Sequence, residues 1–172
     1  MAIVIVPFDK QKHDSSEFDC GNSKLNRYLK EQAGQDIRCH YASLFAAVES
    51  DTGKVRGFYT LSSTSVNVGL LPGDLQKKLP KYPHVPGIRI GRLAVDLTAQ
   101  RQQLGTALVA NAILRSVNNV AEWALMEVDA KDERSFSFYK KIGFTALQDD
   151  RLHLFIMRSK LMDFIRSDNS PE

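Results

Sequence analysis

The sequence predicts a mixed α+β fold: a central sheet of about six to seven strands, mostly antiparallel, flanked by helices. Three observations lead there. Short β-branched and apolar runs recur from Ala2 to Met157, and the two strongest helical stretches each follow a strand. The order β, α, β, β, loop, β, α, β, α, β, β also lacks the regular βαβ repeat of an all-parallel sheet.

Ala2 to Val6 is the first strand. Phe18 to Asn22 is a loop that ends in an N-cap, Asn22 or Ser23, for a helix with Leu25, Tyr28, Leu29 and Ala33 on its apolar face. Leu44 to Glu49 and Val55 to Ser62 form a hairpin across Ser50 to Lys54, and Gly53 sits where a positive φ is needed. Ser63 to Val68 either prolongs the second strand or leaves the sheet. Val68 to Gly87 holds four prolines, so it is a long excursion with at most one short helix near Asp74 to Lys78. Long ordered loops tend to be functional, which makes it part of an acceptor-substrate surface. Ile88 to Val95 is the central strand, and Leu104 to about Val120 is a helix apolar on most sides. Ala124 to Val128 is a strand, and Glu133 to Lys141 a helix stopped by Gly143. Phe144 to Leu147 and His153 to Met157 close the sheet as an antiparallel pair.

The 172 residues fit one domain, 1–162, followed by a polar tail, 163–172. With 43% hydrophobic and 25% charged residues, neither a disordered chain nor a membrane protein is indicated. No apolar run approaches the roughly 20 residues of a membrane span, and Ile3 to Val6 is too short for a signal-peptide core. A cytoplasmic protein is expected. Cys20 and Cys39 are isolated, with no metal-ligand spacing around them, so two free thiols and no metal site are expected. The net charge of +3 is too small to imply nucleic acid by itself. Its distribution says more: Lys77, Lys78 and Lys81 cluster in the long excursion, and Lys24, Arg27 and Lys30 recur at helical spacing, patterns that solvated faces also show.

The chemistry concentrates where the central strand ends. Asp96 to Arg101 is polar, and the long helix starts within Gln102-Gln103-Leu104-Gly105-Thr106-Ala107. A helix N-terminus offers unpaired N–H groups and the positive end of the dipole, a ready phosphate site. Gly105 keeps no side chain between its N–H and such a ligand, and Gln102 can add an amide donor. This stretch resembles the acetyl-coenzyme A signature Q/R-x-x-G-x-G/A of the GNAT acetyltransferase superfamily. The late stretch Ser135-Phe-Ser-Phe-Tyr139 to Gly143-Phe144 resembles that superfamily's second element, in the expected order. The resemblance implies the GNAT fold, with a sheet splayed at its central strand pair.

Phe18 to Leu25, Gly57 to Leu61 and Gly91 to Asp96 narrow the resemblance to the GNAT toxins of bacterial toxin–antitoxin pairs. It implies acetyl-CoA as cofactor and the α-amino group of aminoacyl-tRNA as acceptor, so that translation is blocked. It also implies a ribbon-helix-helix antitoxin as partner and allows a homodimer, for which the sequence itself carries no signal. The alternative within the same fold is a small amine, a free amino acid or a protein N-terminus as acceptor.

The implied site follows residue by residue. Leu93, Ala94, Val95, Gln102, Gln103, Leu104, Gly105, Thr106, Ala107, Ser135 and Phe138 would hold the cofactor, with the N–H groups near Ala94 and Val95 polarising the thioester carbonyl. An α-amino group titrates near pH 8, roughly, so a strong general base is dispensable. The leaving thiolate needs a proton, and a phenol with pKa about 10 can give it. Tyr139 occupies that slot, although at helical spacing beside Phe136 and Phe138 it also reads as a core aromatic. Lys77, Lys78, Lys81, Arg27 and Lys30 would meet tRNA, with Tyr59, Ser62 and Ser63 as weaker acceptor contacts. Arg92 either pairs with Asp96 or Glu127 inside the sheet or faces the acceptor. Two departures stand out: Gln103 where many members have glycine, and Asp132 where GNATs often have Asn.

Overall fold

Alternation along the strands decides which side chains each face of the sheet buries. The computed structural model of the chain describes residues 2–168. Seven strands, β1 (Ile3–Pro7), β2 (Ser43–Glu49), β3 (Val55–Asn67), β4 (His84–Val95), β5 (Leu125–Asp129), β6 (Thr145–Ala146) and β7 (His153–Met157), lie in the order β1-β2-β3-β4-β5-β7-β6. The pairs β1–β2, β2–β3, β5–β7 and β6–β7 are antiparallel. The helices are α1 (Ser23–Arg27), α2 (Ala33–Arg38), α3 (Gly73–Gln76), α4 (Leu104–Val117), α5 (Glu133–Ile142) and α6 (Arg158–Asp168). The fold is the α+β architecture expected.

The chain forms two compact units, residues 1–62 with 90–118, and residues 63–89 with 119–172. In the first, Phe58 and Tyr59 are successive on β3 and leave opposite faces of the sheet. Phe58 joins Phe18, Tyr28, Leu29, Leu44 and Ala94 in one core cluster. Tyr59 is fully buried, and its hydroxyl donates to Asn111 Oδ1 on α4 at 2.7 Å. Arg115, also on α4, donates to the same oxygen at 2.9 Å and lies over the Phe45 ring. Gly57 seats the start of α4: a Cβ there would lie 3.0 Å from Leu108 Cδ1 and 3.2 Å from the Ala94 carbonyl.

Asn22 caps α1 as its residue type suggests, accepting the Lys24 and Leu25 N–H groups. The helix does not run on regularly, because a π-helical turn, Tyr28–Gln32, separates α1 from α2.

In the second unit the long excursion is more structured than its prolines suggest. Val66, Leu71, Val85, Leu125, Leu147 and Phe155 form its core, and Val68, Leu70, Leu75 and Leu79 cover it. β4 starts at His84, four residues earlier than expected, because the exposed Pro86 still offers its carbonyl to the Ala124 N–H at 2.8 Å. β3 runs through to Asn67, which settles the open end of that strand. α5 is capped by the Asp132 carboxylate on the Ser135 N–H and stops at Gly143, whose φ is 118°. Part of the expected polar tail is helical. Residues 163–168 continue α6, which buries Leu161 completely, and residues 169–172 lie outside the described residues. No helix among the described residues is long and apolar enough to cross a membrane.

Candidate active site

In the first unit β4 ends in a sharply organised loop. Asp96, 4% exposed, accepts the Asp19 N–H at 3.0 Å and the Thr98 N–H at 2.9 Å, and Arg56 stands 3.8 Å away. Burial alone would raise its pKa, but those hydrogen bonds outweigh burial and hold it below the ordinary carboxylate value. The Gln100 side chain then bridges the Cys20 and Val95 carbonyls at 3.3 and 3.0 Å. The β4 end at Leu93, Ala94 and Val95 is thereby pinned to the segment before α1. Asp96 and Gln100 were missed as organisers, though Asp96-Leu97-Thr98 carries the local signal of a side-chain cap.

Arg101 and Gln103 both take positive φ, 63° and 62°, and Gln102 between them does not. Such alternation turns successive N–H groups into a concave anion-binding nest. Among the described residues, no N–H from Arg101 through Thr106 donates a hydrogen bond; the first that does is Ala107, to the Gln103 carbonyl at 3.1 Å. Gln102, Gln103, Thr106 and Ala107 are exposed, and Leu104 and Gly105 half-exposed. Six consecutive free donors at a helix N-terminus fit a diphosphate. Gln103 adopts the backbone that a glycine would hold without strain.

Arg92 meets neither of its expected carboxylates. Its guanidinium lies 3.7 Å from the centroid of the Tyr28 ring, on the π-helical turn. Asp96 is occupied as described, while Glu127 is taken by Arg89, Thr64 and His153. Stacking on an aromatic face resolves the charge in the strand without an ion pair. Tyr28 in turn donates to Asp36 Oδ2 at 2.9 Å, and burial with that bond pushes its phenol up to about 12. Arg27 is paired with Glu31 at 2.8 Å, and Lys30 is half-exposed on the π-helical turn. Tyr59, buried against α4, is not an acceptor contact; Ser62 and Ser63 are half-exposed and exposed.

In the second unit Tyr139 sits on α5 with its ring between Phe138 and Phe144, at centroid distances of 5.1 and 5.4 Å. It is 4% exposed, and burial alone drives its pKa well above the ordinary phenol value. Among the described residues no group hydrogen-bonds its hydroxyl, yet none of their side-chain polar atoms is both sealed and unpartnered. The hydroxyl oxygen therefore meets solvent. A phenol held this way keeps its proton at neutral pH and has no protein acceptor to give it to. The Ser135 N–H is used by Asp132, whose carboxylate thus serves as the helix cap. Lys77, Lys78 and Lys81 are exposed and outside any ion pair among the described residues.

The chain is similar to known proteins in sequence and in fold. The profile of the family described as "FR47-like protein" matches residues 67–153, half of the chain. A "tRNA-acetylating toxin" of Mycobacterium tuberculosis is 32% identical over 146 residues, covering 84% of this chain and 86% of the relative. The structure of AtaT complexed with acetyl-methionyl-tRNAfMet superposes with a TM-score of 0.86 at 28% identity, covering 95% of this chain and 99% of that one. The crystal structure of AtaTR bound with AcCoA gives 0.82 at 26% identity, covering 95% and 98%. The chain belongs to the FR47-like group of GNAT acetyltransferases, on the branch that holds the tRNA-acetylating toxins.

Proposed function

We propose that the protein transfers an acetyl group from acetyl-CoA to the α-amino group of an aminoacyl-tRNA in the cytoplasm, as a toxin that a ribbon-helix-helix antitoxin neutralises. The row of free N–H groups from Arg101 to Thr106 carries this reading. It supplies what a coenzyme A diphosphate requires, on a chain whose relatives include a tRNA-acetylating toxin. Acetyl-CoA brings an activated thioester whose carbonyl an amine can attack.

The protein's own contribution is positioning and a proton. Gln102 and Gly105 belong to the diphosphate cradle, with Gln103, Leu104, Thr106 and Ala107 shaping it, and Leu93 to Val95 align the thioester by backbone contacts. On α5, Ser135 and Phe138 are the residues proposed for cofactor contact. Tyr139 keeps its proton until a thiolate needs it: that phenolic O–H breaks as the thiol S–H forms, and solvent restores the phenol. The amine sheds its own proton to water. Because Tyr139 is a weaker acid than an ordinary phenol, it cannot remain deprotonated between turnovers. Arg92 is held by Tyr28 at the β4 end, where it can meet the acceptor, and Lys77, Lys78, Lys81, Arg27 and Lys30 attract the tRNA.

Purified protein mixed with charged tRNA and labelled acetyl-CoA should give acetylated aminoacyl-tRNA. Tyr139→Phe should slow that transfer by about 100-fold or more while leaving coenzyme A affinity within about twofold. Absence of labelled product with every aminoacyl-tRNA would refute the acceptor assignment, and a fully active Tyr139→Phe variant would refute the proton donor.

A further inference from the structure

The first unit carries a groove of about 740 Å³ that neither the acetyl-transfer chemistry nor the sequence motifs use. Its walls are the end of β1, the loop of residues 8–13 and α2. Half-buried Val6 and Ile37 supply apolar surface, while Lys10, Lys12 and Arg38 are exposed. Asp9 is the one carboxylate in the lining, and it is already engaged. Its Oδ1 accepts the Gln11 N–H at 2.9 Å, and its Oδ2 stands 3.8 Å from Lys12 Nζ. Neither Lys10 nor Arg38 has a carboxylate within ion-pair distance among the described residues. His13 Nδ1 accepts the Asp9 N–H at 3.0 Å, so a neutral imidazole carries its proton on Nε2 as one more donor. Lys10 Nζ reaches the Lys30 carbonyl at 3.4 Å, which joins the groove to the π-helical turn bearing Lys30.

Cations without matching acids call for an anion. Here they come from two separate segments along the groove, the loop of residues 8–13 and α2, which suits a chain of spaced charges better than a single phosphate. Val6 and Ile37 offer apolar surface, and the one phenyl ring in the lining, Phe8, is buried beside the half-buried His13 imidazole and closed to base stacking. Contact would then be with backbone and independent of sequence.

We propose that this groove binds the phosphodiester backbone of the tRNA substrate, through Lys10, Lys12 and Arg38 with His13 as an added donor. The inference rests on the aminoacyl-tRNA reading and adds a docking surface to it.

Binding of uncharged tRNA to the full-length protein, followed by fluorescence anisotropy across a salt series, tests it. The combined Lys10→Ala, Lys12→Ala and Arg38→Ala variant should bind at least about tenfold more weakly at low salt, with a log–log salt slope shallower by about two. The variant with arginine at positions 10 and 12 and lysine at 38 should recover both, and coenzyme A affinity should match wild type in each, which reports an intact fold. Wild-type affinity and slope in the alanine variant would overturn the groove while leaving the tRNA reading standing. Wild-type protein that binds no tRNA would overturn both. Unchanged tRNA binding with lost antitoxin binding would make the groove a protein site and overturn the proposal.

Discussion

Gln103, like Arg101, carries a positive φ in the cofactor loop, 62°, with an exposed side chain that gains no burial in return. A side chain with a Cβ costs about 1 kcal/mol in that region, and glycine relieves most of it. Gln103→Gly should therefore raise the melting temperature by about 2 °C, with calorimetry showing coenzyme A affinity kept. An unchanged or lower melting temperature would mean that the Gln103 side chain contributes something this geometry does not reveal. Single residues were also where sequence reading was least complete. The departure at Gln103 was visible as a missing glycine, and Asp132 as a carboxylate in an unusual place. That Asp132 caps α5 through the Ser135 N–H follows from a residue type common at N-caps, a signal overshadowed by the departure from Asn at that position. Arg92 was seen to need a partner, but its partner Tyr28 is 64 positions away and aromatic, so no charge pattern could name it.

At the scale of elements, polar ties join the strands of the second unit. His153 on β7 stands 2.7 Å from the buried Glu127 carboxylate on β5 and 3.0 Å from Asp149 in the preceding turn, while Arg89 reaches Glu127 and Asp129. Burial opposes a charge on His153, but the hydrogen bonds to Asp149 and Glu127 prevail and raise its pKa above the ordinary 6.5. A histidine with a raised folded-state pKa contributes its full stabilisation below the unfolded value and loses it as pH rises through the folded value. His153→Gln should thus lower thermal stability most below pH 6.5, and the gap to wild type should narrow at alkaline pH. A gap independent of pH would show that His153 acts by packing alone. Elements with strong periodicity or clear caps, such as α4, α5 and the β2–β3 hairpin, were legible from sequence. The beginning of β4 was hidden by Pro86, and α6 by a polar composition that masks the complete burial of Leu161.

For the molecule as a whole, family membership and the cofactor loop carry the functional account. Two partial motifs in the right order made the acetyltransferase reading possible from sequence, because a phosphate cradle and a buried phenol each need particular residues at fixed spacing. Substrate-facing charge was less legible. Lys77, Lys78 and Lys81 are exposed as expected, whereas Arg27 is paired with Glu31, and of the groove cations Lys10 and Lys12 are neighbours while Arg38 comes from a separate helix that no local charge pattern joins to them.

Acetyl transfer by this chain requires that the Arg101–Thr106 donors hold the coenzyme's diphosphate. Calorimetric titration with acetyl-CoA, set beside acetylpantetheine, which keeps the thioester but lacks the diphosphate and nucleotide, tests that directly. Charge-assisted hydrogen bonds contribute about 1.5–3 kcal/mol each, so two or more of them predict that acetyl-CoA binds at least about 100-fold more tightly. Equal affinity for the two, or no heat with either, would contradict the account.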